Sequence, residues 1–209
     1  MSETNRYQRY TVGEISTNAY ILNGEYVIDP GGISRELAKS LVDFQDRLKG
    51  ILLTHAHYDH IAGISEVKET VDIPIYCHPD EVEMLCNPEK NMSQWAGQTV
   101  SFDADHTISE GSELELMDGT IRTLHTPGHT RGSLSFHLDE DNLLFAGDTL
   151  FREGIGRTDL PGGDHQKLLR SIQEKILTLP RKTTVLPGHG PKTTVGAEAD
   201  NNSFLTNPT

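Results

Sequence analysis

Leu53-Thr54-His55-Ala56-His57-Tyr58-Asp59-His60 places three histidines and one aspartate within six residues, directly behind the apolar run Ile51-Leu52-Leu53. A run that short, with no polar alternation, reads as a strand buried on both faces. In extended chain the side chains at i and i+2 point the same way, so His55 and His57 can converge on one ion. Asp59 and His60 lie past the bend, within reach of a second ion. Imidazole and carboxylate are suitable donors for zinc, iron or manganese. Taken alone, Asp59 reads equally well as the N-cap of a helix over 60–69.

One segment cannot complete two coordination spheres, and further donors recur in a common context. His129 follows a strand over 121–126 in Thr126-Pro127-Gly128-His129. Asp148 follows a strand over 142–146 in Ala146-Gly147-Asp148, and His189 follows a strand over 184–186 in Pro187-Gly188-His189. In each case a strand ends, glycine lets the backbone turn sharply, and a donor comes next. Any one loop histidine is ordinarily solvated, and Asp148 alone would pass for a turn residue. The joint pattern predicts a metal centre whose seven donors gather at strand ends along one rim. His78, His106, His125, His137 and His165 lack that context and read as structural or exposed.

Outward from these segments, strands are expected at 10–12, 19–22 and 25–28, the last closing in Asp29-Pro30-Gly31-Gly32. Ser34 caps a helix running to about Lys49, with Leu37, Leu41, Phe44 and Leu48 on one face and Gly50 as its stop. A strand at 73–77 and a short helix at 80–85 follow, and 87–110 carries no assignable pattern. Asp118-Gly119 marks a hairpin between 113–117 and 120–126. Strands at 133–138 and 142–146 come next, then a helix from Asp164 to Leu179 and a last strand at 184–186. The tally predicts an α/β (α+β) chain of mixed sheets packed between helices. At 209 residues it reads as one domain over 1–209.

Composition narrows the partners. Lys and Arg total 18 against 31 Asp and Glu, a net charge of −13. Such a surface repels phosphate backbones and anionic lipid, so neither nucleic acid nor membrane is expected. Mean hydropathy is low, at −0.46, yet 19 Gly and 10 Pro among well-formed apolar runs suit a folded, loop-rich protein. There is no apolar run long enough to span a bilayer and no secretory h-region in MSETNRYQRY. Cys77 and Cys86 lack C-x-x-C spacing. A cytoplasmic protein with reduced thiols is the expectation.

On these motifs the chain resembles the metallo-β-lactamase superfamily. Thr54-His55-Ala56-His57-Tyr58-Asp59-His60 is similar to its signature loop, Ile28-Asp29-Pro30-Gly31 to an earlier motif, and His129, Asp148 and His189 fall in the expected order. The resemblance implies a four-layer αββα sandwich of two mixed β-sheets flanked by helices. It implies that His55, His57 and His129 hold one divalent ion, that Asp59, His60 and His189 hold another, and that Asp148 bridges them. Zinc is the first choice of metal, with iron or manganese as alternatives. An aspartate at the bridging position, without a signal peptide, points away from β-lactam hydrolysis.

Within the superfamily the chain is similar to the short bacterial glyoxalase II (hydroxyacylglutathione hydrolase-like) group, through Phe151 to Asp164 and the ending His189-Gly190-Pro191 to Leu205. The separate C-terminal helical glutathione-binding domain of the long enzymes is not expected. The implied activity is hydrolysis of a small-molecule thioester such as S-lactoylglutathione by a metal-bridging hydroxide, with Asp59 orienting or relaying its proton. The chain is expected to act as a monomer or homodimer. The rival is a mononuclear iron persulfide dioxygenase, a group sharing Gly156-Arg157-Thr158-Asp159; Pro187-Gly188-His189-Gly190-Pro191 keeps the hydrolase form.

Four further residues carry expectations. Asp29 reads as a hydrogen-bond partner fixing a ligand histidine, or as a turn former before Pro30. Arg157 could pair with a substrate carboxylate, or with Asp159 or Asp164 to shape its loop. Arg131 could face the cleft or the surface. Tyr58 could line the pocket or pack on the sheet.

Overall fold

Strands β1 (Tyr7–Val12), β2 (Thr17–Leu22) and β3 (Tyr26–Ile28) pair antiparallel in sequence order, and every residue of β2 and β3 is buried. A helix crossover then changes the sense of the sheet. Helix α1 (Arg35–Phe44) leads into β4 (Gly50–Leu52), which lies parallel to β3 with Ile28 opposite Leu52. The computed structural model describes residues 6–206, and these fall into two compact units that divide between Thr107 and Ile108.

In the N-terminal unit, helices α2 (Tyr58–Ile61) and α3 (Ile64–Thr70) connect β4 to β5 (Ile75–Cys77). A 3₁₀ turn at Pro79–Glu81 and the short α4 (Val82–Leu85) then precede β6 (His106–Thr107). The mixed six-stranded sheet runs β1-β2-β3-β4-β5-β6. Leu37 and Leu41 of α1, Ile61, Ile64 and Val67 bury their side chains with Ile21, Val27, Ile51 and Leu53 in one apolar cluster. This is the amphipathic helix face the sequence implies.

Two helix boundaries differ from expectation. The Ser34 side chain caps α1, accepting from Leu37 N, but the helix ends at Phe44 and not near Lys49. Arg47 N and Leu48 N both turn back to the Phe44 carbonyl, and Lys49 N donates to Glu25 O at 2.7 Å. Leu48 therefore reaches the core from a turn, and Gly50 opens a strand where it was expected to stop a helix. The helix expected over 60–69 is divided into α2 and α3 because Gly63 N donates to Pro30 O at 2.7 Å.

The C-terminal unit begins with the hairpin β7 (Glu113–Leu116) and β8 (Gly119–His125). Leu116 pairs with Gly119, so its two-residue turn is Met117-Asp118, one position before the Asp118-Gly119 expected. Then come β9 (Leu134–Leu138), β10 (Leu143–Gly147) and a two-stranded ribbon of β11 (Leu150–Phe151) and β12 (Gly154–Ile155). Helix α5 (His165–Ser171), capped by Asp164, widens into a π turn at Ile172–Ile176 and stops short of Leu179. Strands β13 (Thr184–Pro187) and β14 (Thr193–Thr194) and helices α6 (Val195–Asn201) and α7 (Ser203–Thr206) complete the unit. The sheet order is β14-β13-β10-β9-β8-β7. Leu168, Ile172 and Ile176 bury with Leu124, Leu144, Val185 and Val195. Because β10 is parallel to β13, and β9 is antiparallel to both β8 and β10, strands β8, β10 and β13 all finish on one edge of this sheet. Among the described residues no helix is long and apolar enough to cross a membrane.

Candidate metal centre

In the N-terminal unit the adjacent parallel strands β3 and β4 end side by side and deliver Asp29 and the Leu53–His55 turn together. Asp29 is buried and takes a left-handed backbone conformation (φ 48°), which aspartate tolerates better than most residues. Its Oδ1 accepts from Thr54 N at 2.8 Å. Its Oδ2 accepts from the Thr54 hydroxyl at 2.6 Å and lies 3.0 Å from His60 Nδ1. A carboxylate can only accept, so His60 Nδ1 carries the proton. The Thr54 hydroxyl gives its proton to Asp29, so Thr54 Oγ1, 3.1 Å from His55 Nδ1, is left to accept from that ring. One buried carboxylate thus fixes two histidine tautomers, and both present an Nε2 lone pair.

The remaining donors of this loop are close by. The rings of His55 and His57 stand nearly perpendicular with centroids 4.9 Å apart, and those of His55 and His60 are 4.1 Å apart. His55 and His57 bring donor atoms within 4.8 Å of each other, as do Asp59 and His60. Glu81, itself buried, accepts from Ala56 N at 2.8 Å and holds the backbone between His55 and His57. The Thr17 hydroxyl donates to Asp59 Oδ2 at 3.1 Å. Gly31 has no alternative here: a Cβ on it would lie 1.5 Å from the Asp59 carbonyl oxygen. Tyr58 opens α2, half-buried, and its phenol is pushed up by burial first and then by the charges of Asp59 and Glu14.

In the C-terminal unit the three donors follow β8, β10 and β13, the strands that end on one edge. Asp148 Oδ2 lies 3.7 Å from His129 Nε2 and 3.6 Å from His189 Nε2, so one carboxylate oxygen faces two imidazoles. His129 Nδ1 is 2.8 Å from the Arg157 carbonyl. A carbonyl only accepts, so this tautomer is fixed as well and the lone pair lies on Nε2. Gly156 lets the chain close on Asp148, since a Cβ there would come within 1.9 Å of the Asp148 carbonyl oxygen. The Arg157 guanidinium forms a two-pronged pair with Asp159 at 2.8 and 2.7 Å, both side chains exposed. That pairing holds the Asp159 carboxyl down at about 2. Arg131 is exposed, and its carbonyl lies 3.0 Å from His125 Nε2.

Sequence reading missed Thr54, Thr17 and Glu81, which orient the N-terminal donors. Thr54 lies inside the quoted motif, but only its contact with Asp29 reveals a role; Thr17 and Glu81 carry no local signal. Each unit thus offers imidazole and carboxylate donors, with the tautomers of His55, His60 and His129 fixed through Nδ1. That chemistry fits a divalent cation of the zinc, iron or manganese type. Thiolate plays no part in it: Cys77 is buried and its thiol is pushed up to about 12, and Cys86 is exposed.

Comparison with known proteins agrees with this chemistry. The metallo-beta-lactamase superfamily matches residues 12–189. The chain is 42% identical over 205 residues to the probable metallo-hydrolase YqgX of Bacillus subtilis, covering 96% of this chain and 97% of YqgX. It is 35% identical over 182 residues to the hydroxyacylglutathione hydrolase GloC of Haemophilus influenzae, covering 86% of each. Among solved structures, the BLEG-1 B3 metallo-beta-lactamase superposes with a TM-score of 0.86 at 43% identity, over 96% of this chain and 99% of that one. TTHA1623, solved in a di-iron-bound form, gives a TM-score of 0.82 at 35% identity over 95% and 100%. The mixed sheets with flanking helices are the α/β sandwich fold of this group. By fold, by relatives and by donor chemistry, the chain belongs to the metallo-β-lactamase superfamily of metallo-hydrolases.

Proposed function

We propose that the donors of both units serve one dinuclear metal centre that hydrolyses a small thioester. The reading assigns His55, His57 and His129 to one ion and Asp59, His60 and His189 to the other, with Asp148 shared. The observation that carries it is the set of fixed tautomers: His55, His60 and His129 each commit Nδ1–H to Thr54, Asp29 and the Arg157 carbonyl, which aims the Nε2 lone pairs at a cation. Bound divalent cations supply Lewis-acid chemistry, polarising a carbonyl and lowering the pKa of water toward neutrality. Zinc is the first choice, and the di-iron form of TTHA1623 makes iron the nearest alternative.

The chain's own residues then have defined tasks. Asp59, oriented by the Thr17 hydroxyl, takes up a proton from the attacking water. The water oxygen bonds to the acyl carbon as the C–S bond breaks, the sulfur leaves as a thiolate that needs little acid assistance, and the acid product gives its remaining proton to solvent as it departs as a carboxylate. Tyr58 and Arg131 contact the substrate, and Arg157 contacts it on release from Asp159. The similarity to GloC supports a thioester of glutathione. Purified protein should hydrolyse S-lactoylglutathione without oxygen uptake, and His57→Ala and Asp148→Ala should lower metal content and turnover together. Full metal and full turnover in either variant would overturn the assignment. Oxygen uptake with glutathione persulfide would favour the mononuclear iron alternative.

A second reading has one observation behind it: the 43% identity to BLEG-1, named as a B3 metallo-beta-lactamase. A chromogenic cephalosporin tested beside the thioester separates the two: lactam opening without thioester turnover supports the second reading, and thioester turnover without lactam opening supports the first.

A further inference from the structure

We propose that Glu198 and Asn202, near the end of the chain, are positioning residues for the C-terminal donors and act through a single crossing segment, residues 150–157. The inference rests on the metal-centre reading above. That segment touches all three donors of its unit. The Phe151 ring meets His189 edge-on with centroids 6.3 Å apart. Gly156 lies against the Asp148 backbone so closely that no Cβ would fit. The Arg157 carbonyl fixes His129 Nδ1. Any displacement of the β11–β12 ribbon therefore moves the surroundings of His129, Asp148 and His189 together.

The ribbon is a poor anchor for itself. It pairs through two residues on each side, and Glu153 at its turn sits in the left-handed region (φ 58°). What secures it comes from α6 and the residue that follows it. Glu198 is buried, and its Oε2 accepts from Glu153 N at 2.8 Å and from Asn202 Nδ2 at 2.8 Å. Asn202, also buried, donates from the same Nδ2 to the Gly154 carbonyl at 3.1 Å. The third bond of the carboxylate, Thr193 Oγ1 to Glu198 Oε1 at 2.6 Å, goes to β14 and not to the ribbon. A buried carboxylate with its acceptor sites filled is a rigid strut, whereas one left unfilled is costly.

The bond pattern predicts which substitutions matter. In Glu198→Gln the amide oxygen takes the place of Oε2 and accepts from Glu153 and Asn202. The amide nitrogen takes the place of Oε1, and the Thr193 hydroxyl reverses to accept from it. The clamp survives the loss of charge. Glu198→Ala removes the bond to Glu153 N and the acceptor that orients Asn202 toward the Gly154 carbonyl, and Thr193→Val removes only the bond that does not reach the ribbon.

The test is zinc affinity of the purified full chain, read by chelator competition, with melting temperature recorded alongside. Glu198→Ala should weaken zinc binding about tenfold or more, the scale of lost support around a metal ligand. Glu198→Gln should bind within about threefold of the parent. Thr193→Val should melt earlier yet bind zinc like the parent. If Glu198→Ala binds zinc as tightly as the parent, or if Thr193→Val weakens binding as much as Glu198→Ala, the clamp is refuted and the metal reading stands. A parent chain that takes up no divalent metal refutes both.

Discussion

The N-terminal unit takes its four donors from one stretch of six residues and fixes two of them, His55 and His60, through a buried side chain, Asp29. The C-terminal unit gathers three donors from three strand ends and steadies His129 with a backbone carbonyl, that of Arg157. Both units solve the same problem, fixing an imidazole through Nδ1 so that Nε2 can bind a cation. They differ in what a mutation can reach. Side-chain support is lost by substitution, whereas backbone support is lost only when the chain itself moves.

That contrast orders four expectations. The greatest effect belongs to Gly156→Ala, because the added Cβ would collide with the Asp148 carbonyl at 1.9 Å and force the backbone to shift. A loss of about 3 kcal/mol or more is expected, read from the urea midpoint, together with loss of metal. A parent-like midpoint would show that the close approach is dispensable.

Next is Asp29→Asn. Its amide nitrogen, if turned toward His60 Nδ1, would force the proton onto Nε2 and remove a metal donor. If the amide is flipped, it faces Thr54 N instead. Either arrangement damages the N-terminal half, and metal affinity should fall roughly 10- to 100-fold. Unchanged affinity would mean that the tautomers of His55 and His60 do not depend on this carboxylate.

A smaller effect concerns His137, buried on β9 opposite Arg122 and Leu144. Burial pushes its pKa below the ordinary 6.5, with Arg122 adding to this and Asp139 opposing it. The neutral ring is favoured in the folded chain, so the unfolded chain binds more protons as pH falls through the unfolded value. The stability contribution is complete above about pH 6.5 and declines below it, until the folded pKa is passed. Melting temperatures from pH 7.5 to 5 should fall less steeply in His137→Leu than in the parent; parallel slopes would acquit His137.

The smallest effect is expected at Arg157→Ala. Its guanidinium and the Asp159 carboxylate are both exposed, and the carbonyl that serves His129 survives the substitution. Melting temperature and metal affinity should stay at parent values. A raised KM with unchanged kcat would then assign the side chain to substrate. Set against Asp29→Asn, this variant separates support by side chain from support by backbone.

The same contrast explains what the sequence disclosed. His55, His57, Asp59 and His60 were legible because they are contiguous and follow a strand that local apolarity reveals. His129, Asp148 and His189 were legible because a glycine precedes each one. The hydrogen bonds that orient them were not, since Thr17, Thr54 and Glu81 meet their partners only through the fold. Arg157 shows the limit plainly: its side chain drew attention, but its carbonyl is what fixes His129. Element boundaries slipped where a backbone N–H chose a distant acceptor, as at Lys49 and Gly63. The ribbon at 150–155 and the strand at 193–194 are too short to leave a periodic signature.

A shared centre can be seen in crystals of the chain grown with zinc or manganese and measured at the metal's absorption edge. Two anomalous peaks are expected, one among the Nε2 atoms of His55, His57 and His129, the other among Asp59, His60 and His189, with Asp148 between them. Peaks confined to the donors of one unit, or no peaks at all, would contradict it.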